Sequence, residues 1–178
     1  TYGDWSSDVC SSDLPAEAWP RLMDVPHTAA AFPGASDVEL VAPDQFKGKV
    51  TVKLGPLAMV FAGRLVLEAR DDDARTAVVK AQWSETKGRG NAVTETRFAL
   101  LPHAGGSEAR LETELQLAGQ VAQYGRATGV LQALSAELIK QFAKRLGDSL
   151  AAGAAPVPAQ AVSGLALAAG ALAGALRR

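Results

Sequence analysis

Few side chains in this sequence are equipped for covalent or acid–base chemistry, and those few stand apart from one another. There is one cysteine, Cys10, and there are two histidines, His27 and His103. A single thiol excludes a disulfide framework, and a zinc site needs a set of closely spaced Cys and His ligands that this chain does not supply. Asp71, Asp72 and Asp73 are consecutive. Three adjacent carboxylates do not converge easily on one ion, so they read as a solvated hairpin tip. His27 stands near a helix–turn junction and His103 in a turn beside Pro102 and Gly105; no signature pairs either with a nucleophile or a buried carboxylate. Ser135 falls on a long helix, and Ser149 in Gly147-Asp148-Ser149 has no preceding strand to make a nucleophile elbow. Gly88 and Gly90 lack the spacing and the lysine of a phosphate loop. The expectation is no catalytic residue, no metal and no covalently held cofactor.

What remains is apolar surface and its placement. The chain has 178 residues, one domain's worth or slightly more. Hydrophobic residues make up 48% of it, enough for a core and against disorder throughout, although aromatics are only 6%. Basic and acidic side chains number 18 and 19, a net charge of -1, which argues against the basic footprint of a nucleic-acid binder. The charges are unevenly spread. Residues 1–44 hold eight acids against Arg21 alone, and from Ser149 to Leu176 no residue is charged.

Both ends differ from the body. Residues 1–14, TYGDWSSDVCSSDL, have no basic leader and no apolar run of signal-peptide length. They resemble translated sequencing-adaptor read-through and are read as a non-native or disordered leader, outside the fold. At the other end Pro156 and Pro158 mark a Pro/Ala linker, 154–160. The tail 161–176 is Ala, Leu and Gly with one Val and one Ser. As a helix its 16 residues cover roughly 24 Å, short of a bilayer core of about 30 Å. An uncharged run of this length reads as membrane-contacting, with Leu165, Leu167, Leu172 and Leu176 in the apolar phase and Arg177 and Arg178 at an anionic surface. A flexible Ala-rich extension is the alternative.

Between the ends, residues 15–153 read as one α+β unit. Pro15 opens a short helix with Trp19, Leu22 and Met23 toward a core, and Pro20 is placed in its first turn. Phe46, Gly48, Val50, Val52 and Leu54 alternate with Lys47, Lys49, Thr51 and Lys53, a half-buried strand with a basic outer row. Leu57 to Leu67, Ala77 to Trp83, Gly90 to Leu100 and Leu111 to Leu117 repeat the two-residue period. Short turns between them make an antiparallel meander. The period then changes: Leu131, Leu134, Leu138, Phe142, Leu146 and Leu150 recur at three- and four-residue spacings of one long amphipathic helix. The economical architecture is that helix laid over a curved antiparallel sheet. Gly48, Gly63, Ala77, Ala81, Gly90, Ala92 and Thr94 make the inner rows small, which leaves volume for a cavity unless larger helix side chains fill it. The lining is expected from Phe46, Val52, Phe61, Trp83 and Phe98 on the sheet, with Tyr124, Leu131, Leu134 and Leu138 at or beneath the helix. Trp83 and Tyr124 each carry a polar handle for a ligand carbonyl at the mouth.

The segments PAEAWPRLMDVPHTAAAFPGA, FKGKVTVKLGPLAMVFAGRLVL and LAGQVAQYGRATGVLQALSAELIKQFAKRL together resemble the CoxG family of carbon monoxide dehydrogenase subunits. That family is a branch of the helix-grip, polyketide-cyclase-like (SRPBCC, START-like) lipid-binding superfamily. The most specific pieces are Lys53-Leu54-Gly55-Pro56 and Gln123-Tyr124-Gly125-Arg126, and the likeness runs from about Leu14 to Gly153. The resemblance implies an α+β helix-grip fold, a seven-stranded curved antiparallel sheet wrapped around a long C-terminal helix. The family's opening strand should precede Pro15, so the first strand is expected to be missing. The resemblance further implies a non-enzymatic accessory subunit at the cytoplasmic face of the cell membrane, peripheral or tail-anchored. Its carried ligand would be an isoprenoid quinone, menaquinone or ubiquinone, or a similar lipid, and its partners a molybdenum hydroxylase or carbon monoxide dehydrogenase-like complex and membrane lipid, not nucleic acid. The alternatives are a docking scaffold without ligand and a cyclase- or hydrolase-type enzyme acting on a hydrophobic substrate.

Overall fold

The computed structural model describes residues 2–11, 15–54, 57–125 and 130–152. Helices α1 (Pro15–Leu22) and α2 (Val25–Ala31) separate β1 (Tyr2–Ser11) from β2 (Ala35–Ala42). Five strands follow: β3 (Gln45–Leu54), β4 (Leu57–Asp71), β5 (Thr76–Glu85), β6 (Gly90–His103) and β7 (Gly106–Gly119). A short α3 (Val121–Gly125) then leads to the long α4 (Val130–Ala152). The seven strands form one sheet in the order β1-β7-β6-β5-β4-β3-β2, every pair antiparallel. The fold is the expected α+β arrangement, a curved sheet with the C-terminal helix against its inner face.

Two strands correct the sequence reading. Tyr2–Ser11, expected to lie outside the fold, pair with Ser107–Leu115 of β7, so the first strand is present and the folded unit begins before residue 15. Its Ser- and Asp-rich composition carries no alternation to read; pairing with β7 nonetheless supplies partners for the backbone N–H and C=O groups of both strands. β2 was hidden for a similar reason. It is an edge strand, its register with β3 shifts twice, and Asp37 sits at φ 53°. Its acids answer the basic row of β3: Asp37 meets Lys49 at 2.8 Å and Glu39 meets Lys47 at 2.9 Å.

The helices are set by local chemistry. Asp24 caps α2, its carboxylate accepting from the His27 backbone N–H at 3.2 Å, with a proline in the first turn. Pro20 lies within α1 rather than in its first turn. α1 buries Ala18, Trp19 and Leu22, and these pack with Ala31, Leu67, Ala77, Leu100, Ala109 and Leu146 into one core cluster. Phe142 and Ala143 of α4 close over that cluster. The core therefore sits toward the C-terminal half of α4 and the hairpin end of β4–β5.

Candidate functional site

Strand pairing decides which side chains share the concave face. Directly opposed residues lie on the same side of a sheet, so each row can be followed from strand to strand. One row runs Phe46, Leu65, Ala81, Thr94, Leu115; the next runs Gly48, Gly63, Trp83, Ala92, Leu117; Val50 and Phe61 lead to Glu85. Val52 stands opposite Met59, and Phe98 opposite Ala77 and Leu111. The five sheet residues expected at the lining thus face one way.

They do not share one environment. Phe98 stacks on Trp19, ring centroids 5.9 Å apart, and belongs to the packed end. Phe46 is buried, whereas Val52, Phe61 and Trp83 are only half-buried although they face the interior. Leu134 of α4 is buried and Leu138 half-buried. The side chains of Tyr124 and Leu131 fall outside the described ones, as do Leu165, Leu167, Leu172, Leu176, Arg177 and Arg178. Leu65, Thr94, Leu115 and Leu117 are half-buried as well. In a two-layer core without space, the middle of a concave face would be sealed; here one end is closed by the packed cluster, and along the rest these half-buried side chains alternate with buried Phe46, Met59, Ala81, Ala92 and Glu85.

Glycine shapes the open half. A Cβ on Gly63 would stand 2.6 Å from Cε3 of Trp83 and 2.1 Å from the Gln82 carbonyl oxygen, so the indole lies against the bare backbone of β4.

The polar feature of this face was not foreseen. Glu85, two residues beyond Trp83 on the same side of β5, has no exposed side-chain surface. Its Oε2 accepts from the backbone N–H groups of Lys87 at 2.8 Å and Arg89 at 3.2 Å, and its Oε1 from Nη2 of Arg89 at 2.9 Å. Nη2 also donates to the Ala58 carbonyl at 3.2 Å, while Nε of Arg89 is buried without a partner. The Arg89 guanidinium beside Glu85 holds its carboxyl below the usual glutamate range; burial pulls the other way, and the Arg89 and Lys87 backbone amides reinforce the lowering. Extending the inner parity of β5 by one step past Trp83 would have found Glu85.

The remaining titratable groups have structural partners. His27 Nε2 and Ser149 Oγ are 2.8 Å apart, a juxtaposition the sequence did not announce. Asp24 binds the backbone N–H of His27, and among the described residues no hydrogen bond joins its carboxylate to the imidazole, so the pair lacks the orienting third member of a triad. It ties α2 to the last turns of α4. Asp72 accepts from the Trp19 indole at 2.6 Å and from Arg70 at 2.6 Å, and Asp71 accepts from the Asp73 and Ala74 backbone amides. The hairpin tip is thus tied into the core. His103 Nδ1 lies 3.3 Å from Glu108 at an exposed turn. Among the described residues no cluster of three or more His, Cys, Asp or Glu is arranged to hold a metal, and no helix is long and apolar enough to cross a membrane.

A curved seven-stranded antiparallel sheet, two short helices after its first strand and a long C-terminal helix across an apolar inner face define the helix-grip fold of START-type proteins. Solved structures of this fold superpose on the chain. A conserved protein from Geobacillus kaustophilus aligns at TM-score 0.71 and 18% identity, over 86% of this chain and 97% of its own. A START superfamily protein from Mycobacterium smegmatis aligns at 0.61 and 14%, over 84% and 97%. An aromatase/cyclase from Streptomyces sp. R1128 aligns at 0.54 and 15%, over 86% and 98%. At these identities the likeness is one of fold. A comparison with curated proteins finds no match. The chain belongs to the CoxG family of carbon monoxide dehydrogenase subunits, whose sequence profile matches residues 12–151.

Proposed function

We propose that this protein is a non-enzymatic accessory subunit that carries an isoprenoid quinone, menaquinone or ubiquinone, or a similar hydrophobic lipid. In this reading it recruits a molybdenum-containing, carbon monoxide dehydrogenase-like enzyme to the cytoplasmic face of the membrane. The supporting observation is the concave face itself: Val52, Phe61 and Trp83 look inward yet remain half-buried, beside Phe46 and Leu134. Apolar walls of this kind hold a hydrophobic ligand with few polar contacts needed to orient it. Family membership supports the dehydrogenase as partner, and the uncharged tail 161–176 supports membrane contact, peripheral or anchored, with Leu165, Leu167, Leu172 and Leu176 in the apolar phase and Arg177 and Arg178 at the lipid surface. Redox chemistry in this arrangement belongs to the partner.

Leu134→Trp tests the proposal, because a larger side chain entering from α4 should fill the space beneath it. Titration with a short-chain ubiquinone is expected to show saturable binding to the native protein and none to the variant, with the fold retained by circular dichroism. Equal binding by both would remove Leu134 from the ligand path. Binding by neither would leave a ligand-free docking scaffold as the better reading.

A further inference from the structure

We propose that Glu85 and Arg89 form the polar subsite of the open interior, a donor-rich rim that takes the neutral carbonyl oxygen of a head group. The inference rests on the ligand-carrying reading above and adds to it an orientation and a head-group class.

The site is built at the end of the concave face opposite the packed core. Glu85 shares the inner side of β5 with Trp83, about 7 Å along the strand. The carboxylate is fully buried, and its ring of donors is supplied by the turn that leads into β6. That turn is pinned from two directions: Arg89 Nη2 reaches the Ala58 carbonyl at the start of β4, and the Arg89 carbonyl accepts from the Val121 N–H at the start of α3. Such a pair, its carboxylate wholly buried and its guanidinium partly so, is costly to assemble merely to close a turn.

Its donors and acceptors are unequal in number. Nε of Arg89 is a buried N–H with no acceptor, which a finished core would avoid. Trp83, half-buried on the same side of β5, carries a second N–H donor. Glu85 already receives three donors. A ligand completing this rim must therefore bring acceptors. The guanidinium charge is already matched by Glu85, so a second carboxylate or a phosphate would itself bring an uncompensated negative charge beside a buried carboxylate. A neutral carbonyl meets neither penalty. From the level of Glu85 to that of Val79, where the packed core begins, is six residues of strand, roughly 20 Å. The head group would sit at the rim and its apolar chain run inward over Leu65 and Ala81 toward that floor.

Arg89→Lys keeps the charge opposite Glu85 and removes the Nε donor. Calorimetric titrations would compare a short-chain ubiquinone, an isoprenoid hydrocarbon of matching length without carbonyls, and a fatty acid of similar length. The expected result is a roughly tenfold loss of ubiquinone affinity in the variant with hydrocarbon binding unchanged. Ubiquinone should also outrank the fatty acid on the native protein. Unchanged ubiquinone affinity, or an equal loss for both neutral probes, overturns the subsite; preference for the fatty acid overturns the carbonyl assignment. If the variant fails to fold, the Arg89 Nε–H resonance of the native protein, assigned through bonds to its backbone amide, decides. It should move on adding ubiquinone and not on adding the hydrocarbon, and a stationary resonance overturns the proposal. Failure of the native protein to bind either neutral probe overturns the carrier reading and the subsite with it.

Discussion

At the scale of single residues, the proposed ligand space depends on what is absent from β4 as much as on what is present. Gly63 leaves the width of a methyl group to the Trp83 ring and to the Gln82 carbonyl. Gly63→Ala would press a Cβ into backbone that cannot yield as a flexible side chain could. The expected cost is about 1–3 kcal/mol, read as a lower urea midpoint with an unchanged slope; an unaltered midpoint would show that the indole does not lie where the structure puts it. The inward direction of Phe46, Val52, Phe61, Trp83 and Phe98 was legible from the two-residue period alone, because a strand offers its side chains only two sides. What each one meets was not. Phe98 stacks on Trp19, whose position comes from a helix far away in sequence. Glu85 escaped notice because a charged residue after Ala77, Val79, Ala81 and Trp83 looks like the end of a strand until its partner is found. That partner, Arg89, comes from beyond a turn through Gly88 at φ 74°.

Elements are joined by a small number of polar ties, and these govern the response to pH. Glu85 links β4, β5 and the turn into β6 through Arg89, and hydrogen bonds from Arg89 hold its carboxyl below the ordinary value of 4.5. A carboxylate held low in the folded state stabilises the fold above its unfolded value, and that contribution is lost as the pH falls through the lower folded value. The native protein should therefore lose stability as the pH drops below about 4.5. Glu85→Gln should start lower at neutral pH and fall less steeply over that acid range in urea titrations. Parallel acid limbs for the two proteins would show that the pair is not a stability link. The meander β3–β7 and the long α4 were legible as elements because each carries a period of its own, softened in β4 by Val60 and Val66. β1 and β2 were not, for their pairing is fixed by the neighbours they lie against rather than by their own pattern. β1 now carries a reversed expectation: deleting residues 1–11 uncovers the edge of β7 and should lower the thermal midpoint by on the order of 5 °C, whereas an unchanged midpoint would return that segment to the status of a dispensable leader.

On the scale of the whole molecule, the proposed function separates two tasks along the length of α4. Its C-terminal half, with Phe142, Ala143 and Leu146, closes the packed core, and Ser149 bonds to His27 of α2, so the end of the helix is anchored to the domain. Its N-terminal half carries buried Leu134 and half-buried Leu138, which in the proposed reading cover the ligand. In the proposed reading, residues 154–160 join the anchored end of the helix to the uncharged run 161–176. A tail attached there can engage a membrane without pulling on the part of the helix that covers the interior. Truncation after Ala152 should therefore move the protein from the membrane fraction to the soluble fraction while leaving short-chain ubiquinone affinity within about twofold of the full chain, both halves of the result being measured on the same preparations. Two terminal arginines alone, each contributing on the order of 1 kcal/mol at an anionic surface, give only salt-sensitive attachment. A membrane-bound fraction that persists in high salt would thus assign the anchoring to the apolar residues of the tail, and equal partitioning of the full and truncated chains would remove the tail from membrane contact altogether.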